Sequence, residues 1–368
     1  MTMVDGTAES DRTAPDRALL EVEDLKTHFR TPRGVVKAVD GVSLSVARGQ
    51  TLGLVGESGS GKSVLSRSIM QLFPKRNVFT GGKVIFQGRD ITGLSDKELR
   101  DFWGTEMSMV FQDPMTSLNP VMKIGHQLTE GLRKHLNFTR EEAETTALEL
   151  MKSVRIPEPQ QRLEEYRHQL SGGMRQRVTI AMALACGPKL LFADEATTAL
   201  DVTVQAQILN LLQDLQKERD MGMILVTHDL GVVAGRTHEI AVMYAGKIVE
   251  KAPTPVLFSN MKMPYTEALL RSIPKLENPS HTALQAIGGR PPDLIAPPSG
   301  CNFSPRCPYA QDRCHEEEPP LVPGDVPGHS YACWYPVGTK ENEKALEINL
   351  SKGLPQARIV VESGRTDG

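Results

Sequence analysis

From Leu19 onward, short uninterrupted apolar runs alternate with longer stretches in which apolar positions recur every three or four residues. The runs predict strands at Thr51–Val55, Met107–Phe111, Leu190–Ala193, Met223–Thr227 and Ile240–Tyr244, each bounded by Gly, Asp or polar residues. Strands apolar at nearly every position suit a mostly parallel sheet buried on both faces and covered by helices. Val204, Ile208, Leu211, Leu212 and Leu215 form one helical stripe that packs on such a sheet. Between the Met107 run and Leu170 the pattern changes. Thr139 and Glu142 make a capping box ahead of Ala143, Ala147, Leu150, Met151 and Val154, which predicts a helical insertion. After about Pro253 the periodicity thins, and RPPDLIAPPSG concentrates prolines that cannot donate to a ladder. That end of the chain is expected to be a linker and loop-rich appendage, followed from about Lys340 by a tail.

The chain has 368 residues, enough for one large domain plus a smaller appendage. Its 42 Lys and Arg nearly balance 45 Asp and Glu, so no electrostatic footprint for nucleic acid or anionic lipid is present. The richest apolar stretch, Thr179 to Ala193, is broken by Gly187, Pro188 and Lys189. It falls short of the roughly 18 to 20 apolar residues a spanning helix needs, so a membrane role is expected to work through a partner. The opening residues are polar and acidic with no apolar segment, which argues against secretion and for the cytosol. Cys186 stands alone in the apolar stretch and reads as packing, whereas Cys301, Cys307, Cys314 and Cys333 cluster near the C-terminus. In a reducing compartment such a cluster suggests metal more than disulfides.

The run GESGSGKS directly follows the Thr51–Val55 strand and precedes the helical VLSRSIMQLF, the context a phosphate-binding loop requires. Gly56, Gly59 and Gly61 let the amides of the segment Gly56, Glu57, Ser58, Gly59, Ser60, Gly61, Lys62, Ser63 and Val64 turn toward phosphate oxygens, and the following helix adds its positive N-terminal end. Lys62 is then expected to neutralise the β and γ phosphates and Ser63 to ligate Mg²⁺. In LLFADE, Asp194 falls at a strand's C-terminal edge, where α/β proteins bind ligands. A lone Asp-Glu pair there equally suits the cap of a following helix. Beside a phosphate loop, Asp194 fits Mg²⁺ and Glu195 fits a general base.

Plain P-loop kinases and GTPases lack the segment LSGGMRQR that precedes LLFADE here. With it, the sequence resembles the nucleotide-binding subunit of an ABC transporter. The resemblance implies an α/β P-loop NTPase fold with a helical subdomain and a small Cys-rich C-terminal appendage. The expected boundaries are a flexible segment 1–18, a nucleotide-binding domain 19–260 with its helical subdomain at about 113–170, a C-terminal region 261–338 and a tail 339–368. Gln112 in VFQDP is similar to the Q-loop, TALD at Thr198 to Asp201 to the D-loop, His228 in VTHD to the switch histidine, and Phe29 to the aromatic that stacks on adenine. Singly, each has a plainer reading as a turn residue, a strand-end histidine or a core aromatic. Ser171, Gly172 and Gly173 open a helix whose bare amides suit an anion. The resemblance implies that these, with Gln176, grip the γ-phosphate held by a partner chain, and that Gln112 shares the Mg²⁺ with Ser63 and Asp194.

The longer phrases FQDPMTSLNPVMKIGHQL and HQLSGGMRQRVTIAMALACGPKLLFADEATTALDVTVQAQIL resemble the oligopeptide and dipeptide importer ATPases, relatives of which handle nickel. Ala196 stands where proline is usual after the catalytic glutamate, and Arg167 where proline often precedes HQLSGG; neither replacement removes a ligand. CNFSPRCPYAQDRC followed by ACW is similar to a C-terminal region that carries a 4Fe-4S cluster in some members. Four thiolates on one centre would staple a Pro-rich segment too poor in apolar residues for its own core, and the CxxC pairs usual for zinc are absent. Free structural thiols and disulfides remain open alternatives. The implied partners are a second ATPase subunit, identical or paralogous, two transmembrane permeases and an extracytoplasmic peptide-binding protein, at the cytoplasmic face of the plasma membrane. A soluble ABC ATPase acting on nucleic acid would carry a large insertion, a coiled coil or a basic patch. A regulatory protein that does not hydrolyse ATP would have lost Lys62, Glu195 or His228.

Overall fold

The computed structural model describes residues 18–74, 76–113, 117–197, 201–273 and 287–358. The expected N-terminal segment and the Thr198 end of TALD lie outside them.

Two sheets organise the chain. The smaller is antiparallel and contains β1 (Leu20–Thr31), β2 (Gly34–Val46), β4 (Val78–Phe86) and the two-residue β5 (Arg89–Asp90), in the order β2-β1-β4-β5. The larger contains β3 (Thr51–Val55), β6 (Met107–Val110), β7 (Leu190–Asp194), β8 (Gly222–Thr227), β9 (Glu239–Tyr244), β10 (Lys247–Pro253), β11 (Val322–Pro323) and β12 (Ser330–Tyr331). Its order is β11-β12-β10-β9-β3-β8-β7-β6, with β9, β3, β8, β7 and β6 parallel. Each of the five predicted strands is present to within a residue or so, and all five belong to this parallel set. Period-two alternation divides their side chains between two cores. Leu52, Leu54, Leu190, Phe192, Ile224 and Val226 face the antiparallel sheet, while Val55, Leu191, Ala193, Met223, Leu225, Val242 and Tyr244 face the opposite core.

The helices are α1 (Lys62–Ile69), α2 (Asp96–Phe102), α3 (Ile124–His135), α4 (Arg140–Ser153), α5 (Pro159–Leu163), α6 (Gly172–Leu184), α7 (Val202–Glu218), α8 (Leu230–Val233), α9 (Thr254–Asn260), α10 (Pro264–Arg271), α11 (Asp312–Glu316) and α12 (Lys340–Ser351). The predicted insertion is α3 to α5. Its central helix starts at the expected capping box, in which Thr139 accepts from the Glu142 amide and Glu142 accepts from the Thr139 amide.

Two expectations change at the C-terminal end. The segment after Pro253 carries two helices, α9 and α10, with Leu257, Tyr265 and Leu269 buried. From Lys340 the chain forms α12 before the described residues end, and it docks on the cysteine-bearing segment. Asn349, 1 % exposed, donates to the Pro308 and Ala310 carbonyls, and Gln311 donates to Asn349 Oδ1. These contacts are polar and reach back about forty residues, so hydrophobic periodicity does not reveal them. Among the described residues no helix is long and apolar enough to cross a membrane.

Candidate functional site

Strands β3, β6, β7 and β8 end side by side, and their C-terminal ends open on one cleft of about 840 Å³. This is where an open parallel sheet binds ligands, because the loops diverge there. The cleft is lined by Glu57, Ser58, Gly59, Gly61, Lys62, Ser63 and Val64 after β3, by Gln112 after β6, Glu195 after β7 and His228 after β8.

Only glycine fits at two turns of the phosphate loop. A Cβ on Gly56 would lie 2.1 Å from the Met243 carbonyl, and one on Gly61, at φ +106°, would lie 2.2 Å from the Ala38 carbonyl. Gly61 caps α1, so the amides that begin this helix face the cleft with no side chain in the way. Lys62 Nζ donates to the carbonyls of Gly56 (2.7 Å) and Glu57 (3.0 Å). Burial lowers the Lys62 pKa, opposed by the nearby charges of Glu195, Asp194 and Glu57. Burial raises the pKa of Asp194, which is 0 % exposed. Ser63 Oγ donates to Asp194 Oδ1 at 2.8 Å, and Oδ2 is buried with no hydrogen-bond partner. A buried ammonium, and a buried carboxylate with one oxygen unsatisfied, suit a site completed by a metal-bound polyphosphate.

Glu195 lies between the other two residues expected at the reaction centre, Gln112 and His228. Gln112 Nε2 donates to its Oε2 at 2.7 Å, and His228 Nδ1 is 3.4 Å from its Oε1. Its backbone is left-handed, at φ +46°, and its amide donates to Val226 O.

The remaining expected residues stand elsewhere. Ser171 is exposed and caps α6, its hydroxyl accepting from the Met174 amide, with Gly172 and Gly173 forming the first turn. None of the three lines this cleft. Gln176, the fifth position after the cap, is 1 % exposed and turned inward rather than, as expected, presented to a second chain. Asp201 is exposed and caps α7 through Val204 N. Phe29 is half-buried on β1, edge-on to Phe73 with ring centroids 5.2 Å apart, and does not line the cleft.

The four clustered cysteines meet. Cys301, Cys307, Cys314 and Cys333 line one small, mostly apolar pocket with Met263, Phe303 and Trp334. Burial raises the pKa of all four thiols, that of Cys301 to about 11. Among the described residues no group of three or more His, Cys, Asp or Glu stands close enough to hold a single metal ion.

Residues 39–198 match the ABC transporter family profile, and residues 249–314 match the C-terminal region of oligopeptide/dipeptide transporters. The chain is 52 % identical over 304 residues to the oligopeptide transport ATP-binding protein OppD of Bacillus subtilis, covering 82 % of this chain and 85 % of that one. This chain belongs to the ABC transporter ATP-binding family. Within it, the dipeptide transport ATP-binding protein DppD of Escherichia coli is 47 % identical over 321 residues, covering 87 % of this ABC subunit and 97 % of that protein. The dimeric ATP-binding cassette MJ0796, solved in a post-hydrolysis state with ADP and Pi, superimposes with a TM-score of 0.58 at 27 % identity. That comparison covers 64 % of this chain and 98 % of the cassette.

Sequence reasoning missed several lining residues. Leu269 and Ser272 at the end of α10, and Ile287, Pro291 and Leu294 beyond it, form one wall of the cleft. They belong to a segment read as a linker, and the clustering of prolines in RPPDLIAPP was the one available sign of a fixed backbone.

Proposed function

We propose that this chain is the ATP-hydrolysing subunit that powers import of di- and oligopeptides, and that it works as one half of a nucleotide sandwich. The observation that carries the chemistry is Glu195, fixed by Gln112 on one side and His228 on the other at the rim of a glycine-turned phosphate loop. The Glu195 carboxylate takes the proton of the attacking water, and Gln112 and His228 hold that carboxylate in line. Lys62 and the amides that open α1 bind the phosphate tail. Ser63 and Asp194 would hold the accompanying Mg²⁺, which would offset phosphate charge; the partnerless Oδ2 of Asp194 supports that assignment.

Ser171, Gly172 and Gly173 sit away from this chain's own cleft and present bare helix-start amides, which supports a role on the nucleotide of a second ATPase subunit. Closure of the two subunits over ATP, and release on hydrolysis, would drive two transmembrane permeases fed by an extracytoplasmic peptide-binding protein. The subunit itself would be peripheral, on the cytoplasmic face of the membrane. Peptide as the cargo follows from likeness to OppD and DppD. Co-purification with the permeases and reconstitution in liposomes tests it: peptide with its binding protein should stimulate ATP turnover and accumulate inside. Stimulation by nickel alone would overturn the peptide reading.

For the four cysteines the finer reading is a 4Fe-4S cluster. Four thiols lining one mostly apolar pocket support it, and a cube of iron and sulfide holds its ligands farther apart than a single ion does. When bound, the cluster would staple the C-terminal region. Anaerobically purified protein should contain iron and acid-labile sulfide in equal amounts; zinc, or neither element, would contradict it.

A further inference from the structure

The second residue of the phosphate loop is held from a distance. Arg306 lies in the short 3-10 turn between Cys301 and Cys307, and its side chain is 2 % exposed. Its Nη1 donates to Glu57 Oε2 at 2.6 Å and its Nη2 donates to Glu57 Oε1 at 2.9 Å, a two-pronged pairing across 249 residues of sequence. The other three guanidinium donors are also used. Nε donates to Gly288 O, Nη2 to Ile287 O, and Nη1 to the Tyr244 hydroxyl. All five N–H groups of the fork therefore have acceptors, and the guanidinium lies 5.8 Å from the Tyr244 ring centroid and 5.9 Å from that of Phe303.

The backbone of Glu57 is gripped as well. Its N–H donates to the Tyr265 hydroxyl at 2.8 Å, and its carbonyl accepts from Lys62 Nζ and from the Ser60 amide. Tyr244, Tyr265 and Phe303 pack as a fully buried aromatic trio with centroids 4.5 to 5.4 Å apart, and this trio ties the cysteine turn to β9 and α10. Arg306 thus joins three parts: the phosphate loop, the Ile287 wall of the cleft and the turn bracketed by two of the four cysteines.

A glycine-rich loop loses much conformational entropy when it closes on phosphate, and a contact that fixes it beforehand lowers that cost. A surface carboxylate with no such duty would not recruit a buried arginine whose every donor is committed.

We propose that Arg306 is a positioning residue for ATP: through Glu57 it preorganises the phosphate loop, so nucleotide affinity depends on the fold of the cysteine-bearing region. The proposal rests on GESGSGKS being the triphosphate cradle, and Lys62→Ala serves as the control for that reading. The test is a double-mutant cycle in the full-length chain with Arg306→Lys, Glu57→Gln and the double variant. Binding of a fluorescent ATP analogue and the kinetics of ATP turnover are both measured. Each single variant should raise Kd and KM roughly tenfold, the scale of losing a charge-assisted bidentate contact, while kcat changes less than KM. The double variant should be no worse than the worse single one. Glu57→Gln changes only the partly exposed partner, so it remains informative if Arg306→Lys fails to fold. Wild-type affinity in Glu57→Gln, or losses that multiply in the double variant, would overturn the brace. Wild-type affinity in Lys62→Ala would instead bring down the cradle beneath it.

Discussion

At the nucleotide cleft Asp194 and Glu195 from β7, Gln112 from β6 and His228 from β8 each leave a parallel strand within about two residues of its C-terminal end, and Ser63 follows β3 at the start of α1. The cysteine-bearing region has little strand or helix of its own: the 3-10 turn Ser304–Arg306, α11 and the two-residue β11 and β12. It is held to the domain by the pairing of β12 with β10, by Phe303 packed on Tyr244 and Tyr265, and by the buried polar contacts of Arg306 with Glu57 and His329 with Glu250. The sheet fixes the first site through many redundant contacts. The second region is joined through one short strand pairing, an aromatic cluster and a few buried polar pairs, and the polar pairs are costly to lose. Chemistry is therefore the sensitive property of one region and stability that of the other.

The largest expected effect sharpens the first half of that contrast. Glu195→Gln should slow ATP hydrolysis by about 10² or more while ATP binding persists, the usual loss when a general base is removed. Near-normal turnover in a single-turnover assay would refute the assignment. The next bears on the second half. Glu250 is 0 % exposed and accepts from the amides of Lys262 and Met263 and contacts His329 Nε2 at 2.9 Å. Glu250→Ala strands the Met263 amide and His329 in the interior and removes the acceptor of the Lys262 amide, and should cost roughly 3–5 kcal/mol in denaturant unfolding. A loss below about 1 kcal/mol would show that the region has redundant support after all. The smallest effect comes from the helical insertion, where the Thr139 cap is exposed and local. Thr139→Ala should cost about 1 kcal/mol and leave ATP affinity unchanged, as measured by melting and nucleotide titration.

The same contrast explains what could be read from the chain alone. Thr51–Val55 and Leu190–Ala193 are short buried strands whose apolar runs and polar ends mark them directly, and the phosphate loop and Glu195 follow from their ends. The antiparallel sheet of β1, β2 and β4 was not anticipated. In β1 a bulge, as between Val22 and Leu25, interrupts the alternation of buried and exposed positions, and β2 alternates strictly only over its last five residues, Val42 to Val46. The link from Arg306 to Glu57, and the return of α12 onto Pro308, depend on polar pairs far apart in sequence and leave no periodic trace. The inward turn of Gln176 is a detail of rotation around α6 that the LSGGMRQR motif does not specify.

The central claim is that two chains enclose each ATP, the phosphate loop of one facing Ser171, Gly172 and Gly173 of the other. Photocleavage of the assembled transporter trapped with ADP and orthovanadate tests it most directly, because the vanadate takes the γ-phosphate position and cuts only the backbone beside it. Cleavage within both GESGSGKS and LSGG is the predicted result. Cleavage at the phosphate loop with LSGG left intact would contradict it.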